Sequence, residues 1–523
     1  MSTRADLEGW EPEIREIASR RQLAARMGGD EAIARQHAAG KLTVRERIER
    51  LLDPGSFLEF GSLVGTAEYH QETLTAFRPA NFVMGTGTID GRMIVVGGED
   101  FTVRGGAADG GGGSKWQFSE ALAAEWRLPL VRLIDGAGGS VRTLEQIGRT
   151  YVPDNPGIVT MTRLLGIAPV ISAVVGSVAG LPAAKAVAAH WTIMVKDTSQ
   201  VFVAGPPVVQ RSLGEEVSKE ELGGYRVHLR SGVVDNLALD EVDCFRQIRR
   251  FLSYLPANVW ELPPRVPPDD DPQRREEELL RIIPRNRRRP YDARRLLRLI
   301  LDHDSLFELS PDYGPSLITA LARLNGYSVG VLANDPHHLG GALDAAAAEK
   351  LTRFVDFCDT FHLPVVNFVD QPGFMIGQEA EGAGTIRKGM RAICAIEEST
   401  MPWIAVIVRK CYGVAGGAHQ RRSSLTVRYA WPSAEWGSLP IEGGVDAAYR
   451  REIEAAPDPD ARRREIEARL TALRSPLRTA EAFGIEEIID PRETRPLLCR
   501  WLDTVQRLMP SLVGPRVRTG MRP

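Results

Sequence analysis

The chain has 523 residues, of which 43% are hydrophobic and 25% charged, with a formal net charge of −3. That length predicts more than one domain, and that composition an ordinary soluble globular protein. A near-neutral chain whose arginine clusters, such as RNRRRP, accompany no nucleic-acid motif is not expected to bind nucleic acid, and its apolar runs, broken by Gly and Pro, predict buried strands and no membrane span.

The amino terminus, MSTRADLEGWEPEIREI, is charged from the start and has no apolar signal core, so a cytoplasmic location is expected. Residues 1–46 combine helical periodicity with dense charge and form a helical lead-in. A first domain is expected over 47–261. It opens with LLDPGSFLEF and passes through GTGTIDG, a turn between strands, into IVVGGED. The loop GGAADGGGGSKW follows at 105–116; it is not a P-loop, because its lysine comes after Ser114 and not between a glycine and a hydroxyl residue. Next come a helix, the buried strand of LPLVRLID ending at Asp135, a second glycine loop around Gly138 and Gly139, and a buried strand ending in VVGSVAGLPAAKA.

Residues 262–293, rich in proline and charge, read as a linker. Beyond it, over 294–523, the first domain recurs. An offset of 235 residues lays DGRMIVVGGEDFTVRGG on NGYSVGVLANDPHHLGG and LPLVRLID on LPVVNFVD, and an offset of 233 lays APVISAVVGSVAG on MPWIAVIVRKCYG. In the second copy four alanines replace the glycine run and Asp344 stands at a capping position, so both loops are read as helix entries. The glycines suit either a ligand approaching the backbone or a purely structural turn. Apolar strands alternating with helices predict α/β units with covered sheets. Toward the carboxyl end, RREIEAAPDPDARRREIEARLTAL predicts a charged helix pair and DPRETRPLLCRWLDTVQRLM a capped amphipathic helix.

Chemistry is expected where each copy turns from strand to helix through glycine, at 176–185 and 409–420, because unpaired N–H groups there can form a backbone oxyanion hole. Asp135 and Asp370 are either acid/base residues or helix caps, capping being favoured, and His419 either donates to substrate or is a bland loop residue. Five cysteines without a C-x-x-C pair predict reduced, buried thiols, and no metal site is expected, the only close histidines, His337 and His338, being adjacent.

DFTVRGG, TSQVFVAGPPVV, EELGG, DQPGF, RKCYG, YAWPSAE and IDPRETR, spread over nearly the whole chain, resemble the carboxyltransferase β subunits of biotin-dependent acyl-CoA carboxylases of the propionyl-CoA and methylcrotonyl-CoA type. The resemblance implies two tandem crotonase-like domains of ββα superhelix, the first holding acyl-CoA and the second biotin. It implies catalysis by backbone groups of Gly180 and Leu181 on one side and of Gly413, Val414, Gly416, Gly417 and Ala418 on the other. It implies ligand contacts at Gly105, Gly106, Ala107, Lys115, Gly138, Gly139 and Ala179, and at Gly340, Gly341, Gln371, Pro372, Gly373, Phe374 and His419. The chain has no M-K-M tripeptide and no ATP-binding signature, so biotin and its carboxylation are expected on a partner α subunit that combines biotin carboxylase and carboxyl carrier, around a homohexameric core. A biotin-dependent decarboxylase or transcarboxylase subunit, or a non-catalytic assembly subunit, are the alternatives. AGLPA and YGVAGGAHQ depart from the family's usual AGGA and YGGAYD, which leaves the acyl group and the register of the second hole open.

Overall fold

The computed structural model describes residues 9–71, 73–107, 113–139, 142–152 and 157–517; most of the glycine run (108–112), and Ser140 and Val141 of the second glycine loop, lie outside them. The chain divides between Ser253 and Tyr254 into two units.

The first unit begins with helices α1 (Glu11–Ala25), α2 (Asp30–Ala38) and α3 (Val44–Leu51). Thr43 and Glu46 form a reciprocal capping box that starts α3, which buries Val44, Ile48 and Leu51 together with Arg47. The main sheet has seven strands: β1 (Leu58–Phe60), β2 (Phe82–Ile89), β3 (Arg92–Glu99), β4 (Leu130–Ile134), β5 (Val170–Val174), β6 (Trp191–Val195) and β7 (Asn236–Ala238). They lie side by side in chain order; β1 to β3 are antiparallel and β3 to β7 parallel. β4, β5 and β6 are buried at every residue, as strands covered on both faces must be. Helices α4 (Gly113–Trp126), α5 (Gly157–Leu164), α6 (Leu181–Val187) and α7 (Glu241–Ser253) follow in turn.

The second unit repeats this plan with α8 (Ala293–Ile300), β8 (Phe307–Leu309), β9 (Leu317–Leu324), β10 (Tyr327–Asn334), α9 (Ala345–Thr360), β11 (Val365–Gln371), α10 (Thr385–Glu398), β12 (Trp403–Tyr412), α11 (Gly413–Gly417), β13 (Val427–Ala430), β14 (Glu435–Gly437), β15 (Glu487–Ile488) and α12 (Thr494–Val505). The sheet order is β8-β9-β10-β11-β12-β13-β15, with β14 also paired to β12. Ile300, Ile318, Phe368, Trp431 and Leu498 share one buried cluster. The charged pair Arg450–Glu454 and Pro459–Thr471 is helical, with a small core of Val445, Ile453 and Ile466.

The duplication extends to backbone dihedrals. Asp90 and Gly91 close the β2–β3 hairpin at φ 50 and 76, and Asn325 and Gly326 close β9–β10 at φ 51 and 78. Paired positive φ values are what a two-residue turn joining twisted strands requires. Each turn is held by one aspartate: Asp53 accepts the N–H groups of Asp90 and Gly91 at 3.0 and 2.9 Å, and Asp302 those of Asn325 and Gly326 at 3.0 and 2.8 Å.

The stretch 262–293, read from sequence as a linker, is tied to the second unit. Val266 N–H donates to the Gly326 carbonyl, Arg274 to the carbonyls of Leu299 and Leu301, and Leu279 and Tyr291 are buried in the cluster just described. Its arginines cap carbonyls of the body, which is why so charged a segment packs.

Candidate active site

In each unit the loops that leave three successive strands converge. After β3, Gly105 and Gly106 take φ 63, and the Gly105 carbonyl accepts Ala137 N–H at 3.2 Å. A side chain at Gly106 would stand 2.5 Å from the Asp135 carbonyl, so only glycine allows this approach. Gly138 continues the stack, a Cβ there falling 3.0 Å from the Ala179 carbonyl and 3.5 Å from the Gly180 Cα. Gly105, Gly106, Gly138, Ala179, Gly180 and Leu181 are therefore brought together, while nothing crowds Gly139. Gly180, exposed and at φ 64, is the N-cap of α6. Pro182 has no N–H, and the N–H groups of Leu181 and Ala183 have no acceptor within the helix.

The second unit builds the same constellation. Gly340 and Gly341 take φ 63 and 88. Leu343 N–H donates to the Gly373 carbonyl and Met375 N–H to the Leu343 carbonyl, which joins the loop after β10 to Gln371-Pro372-Gly373-Phe374 after β11. Gln371 is paired with Cys411 on β12, and the Phe374 ring lies against Gly389 of α10. β12 then turns directly into α11 at Gly413, which is exposed and at φ 64, the angle of Gly180. Val414 is 60% exposed. First-turn donors belong to Gly413, Val414 and Ala415. Of the expected set, Gly413 and Val414 are exposed at the start of the helix, Gly416 and Ala418 are buried, Ala418 N–H is bound to the Ala415 carbonyl, and Gly417 ends the helix.

Asp135 and Asp370 cap no helix. Asp135 is fully buried and accepts Lys41 Nζ at 2.8 Å, Arg47 Nη1 at 2.9 Å and Gln36 Nε2 at 3.1 Å, with Arg47 also paired to Glu241 at 2.7 Å. Burial pushes the Lys41 ammonium down from its ordinary range, against the pull of Asp135. Asp370 accepts Arg409 Nε and Nη2, the latter at 2.7 Å, and the Lys410 N–H. Both aspartates thus anchor buried cations beneath the loops, and neither is free for proton transfer. The N–H of each is received by a residue at the end of the preceding strand, Glu99 for Asp135 and Asn334 for Asp370. Sequence reasoning passed over these two, although they stand at matched positions in the repeat.

Lys115, 7% exposed, turns inward toward Gly61, and burial lowers its ammonium to about 8, with Glu59 pulling the other way. The His419 ring, expected at a substrate, is buried beneath the turn, where Nδ1 lies 2.6 Å from the Gly416 carbonyl. Cys411 Sγ is 3.6 Å from the same nitrogen, yet burial raises the thiol to about 12, so the pair is not a thiolate nucleophile with its base. Iodoacetamide at pH 8 is accordingly expected to leave Cys244, Cys358, Cys411 and Cys499 unmodified in the native protein and to label them after denaturation. Mass spectrometry showing native Cys411 alkylated at the rate of a free thiol would reject this burial.

Among the described residues no helix is long and apolar enough to cross a membrane. Residues 35–507 match the carboxyl transferase domain family. The carboxyltransferase subunit of propionyl-CoA carboxylase from Haloferax mediterranei is 38% identical, over 93% of this chain and 94% of the relative. The alpha subunit of methylmalonyl-CoA decarboxylase from Veillonella parvula is 35% identical, over 90% and 91%. A transcarboxylase 12S hexamer solved with methylmalonyl-CoA and methylmalonic acid superimposes with a TM-score of 0.87 at 32% identity, over 98% of both chains. With its two crotonase-like units, the chain belongs to the carboxyl transferase domain family, the carboxyltransferases of biotin-dependent acyl-CoA carboxylases and their decarboxylase and transcarboxylase relatives.

Proposed function

We propose that the chain transfers a carboxyl group from biotin, carried by a separate polypeptide, to the α- or vinylogous carbon of an acyl-CoA. One observation carries the reading: two strand-to-helix turns at matched positions, each opened by an exposed glycine at φ 64 and each leaving first-turn N–H groups without an acceptor in its own helix. Such a transfer develops two oxyanions, on the thioester enolate and on the biotin ureido oxygen, and two sets of fixed backbone donors answer them. When bound, carboxybiotin supplies CO2 and then the ureido nitrogen that accepts the α-proton. The Gly180–Leu181 turn donates to the thioester oxygen and the Gly413–Val414 turn to the ureido oxygen. The missing side chain at Gly138 lets its loop close against Gly180 and completes the wall on the acyl-CoA side.

Similarity to a propionyl-CoA carboxylase subunit makes a short acyl group the first to assay. Purified chain incubated with N-carboxybiotin and a panel of acyl-CoAs is expected to carboxylate at least one of them. Failure on the whole panel, with the oligomer intact, would sink the reading and favour a non-catalytic assembly subunit. The decarboxylase and transcarboxylase relatives use the same half-reaction, and co-purification with a membrane partner or a second acyl-CoA acceptor would favour those roles. Biotin belongs to the partner in this reading, so a streptavidin blot is expected to show none on this chain. The active unit is an assembly of copies, a hexamer like the transcarboxylase core, in which one copy's acyl-CoA half meets another's biotin half. Light scattering that finds a fully active monomer would refute that assembly.

A further inference from the structure

His419 is bonded as a group that holds backbone. Its Nδ1 is 2.6 Å from the Gly416 carbonyl, and a carbonyl only accepts, so Nδ1 carries the proton and Nε2 is a bare acceptor. The same carbonyl receives Cys411 Sγ at 3.3 Å and the His419 N–H at 3.1 Å. The carbonyl of His419 is itself pinned, by Trp403 Nε1 at 2.9 Å and Asn367 Nδ2 at 3.1 Å.

The other nitrogen, Nε2, has no partner among the described residues although the residue is only 8% exposed. His419 borders a cavity of about 20 Å³ whose wall is made of leucine, valine and alanine side chains with three further polar residues, Asn334, Asn367 and Gln371. That volume holds one water molecule, and the polar groups of Asn334, Asn367, Gln371 and His419 on an otherwise apolar wall are what would retain one. Burial keeps the ring at about 4, so it stays neutral through the physiological range.

The effect of this anchor reaches the open end of the turn in two steps. Fixing the Gly416 carbonyl fixes the plane of the Gly416–Gly417 peptide, whose N–H points the opposite way. Within the helix Gly413–Gly417, that Gly417 N–H is the one that reaches the Gly413 carbonyl. The Gly413 carbonyl and the Val414 N–H belong to one peptide, so orienting the first aims the second outward.

We propose that His419 is a positioning residue of carboxyl transfer: as a neutral Nδ1–H imidazole, with one water donating to Nε2, it sets the peptide planes that aim the Gly413–Val414 donors at the ureido oxygen. The proposal rests on the assignment of that turn to biotin. His419 touches neither substrate, so its loss leaves acyl-CoA binding alone and weakens only the biotin side.

The test uses the full chain in its native assembly, with free biotin as acceptor and the carboxylated form of whichever acyl-CoA the wild type uses as donor. His419→Leu is expected to lower kcat about tenfold or more and raise KM for biotin, with KM for the acyl-CoA unchanged. His419→Asn, whose amide nitrogen stands near the Nδ1 position, is expected to restore most of the rate. His419→Gln, whose amide reaches the Nε2 position instead, is expected not to. Wild-type rates for Leu or Gln, equal impairment of Asn and Gln, or a change confined to the acyl-CoA KM would each overturn the proposal, and should the Leu variant fail to fold, the Asn and Gln pair still decides it. Independently of activity, the ¹⁵N-histidine difference spectrum between wild type and His419→Asn at pH 6 is expected to show a neutral Nδ1–H ring; a charged ring or an Nε2–H tautomer would refute it. A wild type inactive with every acyl-CoA tried overturns the functional reading itself, an outcome distinct from all of these.

Discussion

Gly413→Val and Gly180→Val are each expected to lower carboxyl transfer about a hundredfold or more while leaving the assembly intact. The reason is conformational. Both glycines sit at φ 64, where a β-branched residue is an outlier, and the nearest atoms to an added Cβ are as far as 3.4 Å at Gly413 and 3.5 Å at Gly180. The substituted chain escapes strain by rotating the backbone, which swings the first-turn N–H groups away from the developing oxyanion. One misdirected donor costs roughly 3 kcal/mol in the transition state. Gly55→Val controls for strain alone, since Gly55 takes φ 73 in a turn remote from both glycine stacks, with nothing within 4 Å. Initial rates at saturating acyl-CoA decide the matter: near-normal turnover in either site variant means that catalysis rests on other groups.

Asp135→Ala is expected to be the most damaging single change to the first unit. It removes the acceptor of Lys41, Arg47 and Gln36 at a fully buried position, and Arg47 retains only Glu241 and the Val175 carbonyl among the described residues. Breaking a buried pair from one side costs about 3–5 kcal/mol, which for a unit of this size lowers the unfolding midpoint by about 10 °C. The exposed Glu31→Ala, whose nearest cation is the equally exposed Arg35 one helical turn on, is expected to change the midpoint little. A calorimetric scan in which the two variants melt together would show that the network adds nothing. Asp370→Ala, which strips Arg409 in the same manner, provides an independent repeat in the second unit.

The duplication was legible because strand positions repeat with almost no insertion: Phe82–Ile89 and Leu317–Leu324 start 235 residues apart, as do the next two pairs, and the pair Val170–Val174 and Trp403–Tyr412 starts 233 apart. The glycines that permit close approach were legible too, since few other residues tolerate positive φ at so many matched sites. The role of the two aspartates was not, because a carboxylate at the end of a strand looks the same in sequence whether it caps a helix or receives a lysine or arginine from a distant segment; Lys41 is 94 residues from Asp135. The burial of His419 was hidden for a related reason. Its neighbours Gly416, Gly417 and Ala418 suggested an open loop, but the ring folds back under the turn, and the His419 carbonyl is held by Trp403 and Asn367, which no local pattern connects to it. The stretch 262–293 has a composition shared by linkers and by straps whose arginines cap carbonyls, and only the acceptors distinguish them.

The seven strands of the first unit's sheet stand in the order in which they are synthesised. Each strand leaving the ribosome finds its neighbour already in place, so the sheet grows from one edge without waiting for distant pairing. Arg47 is an exception, because its guanidinium bonds Asp135 at a separation of 88 residues and Glu241 at 194. Until α7 emerges that guanidinium has half its counter-charge, and burying it then is costly. The helix α3 that carries Arg47 is thus among the earliest elements made and the last to be sealed, which makes its docking a signal that the unit has been translated to its end.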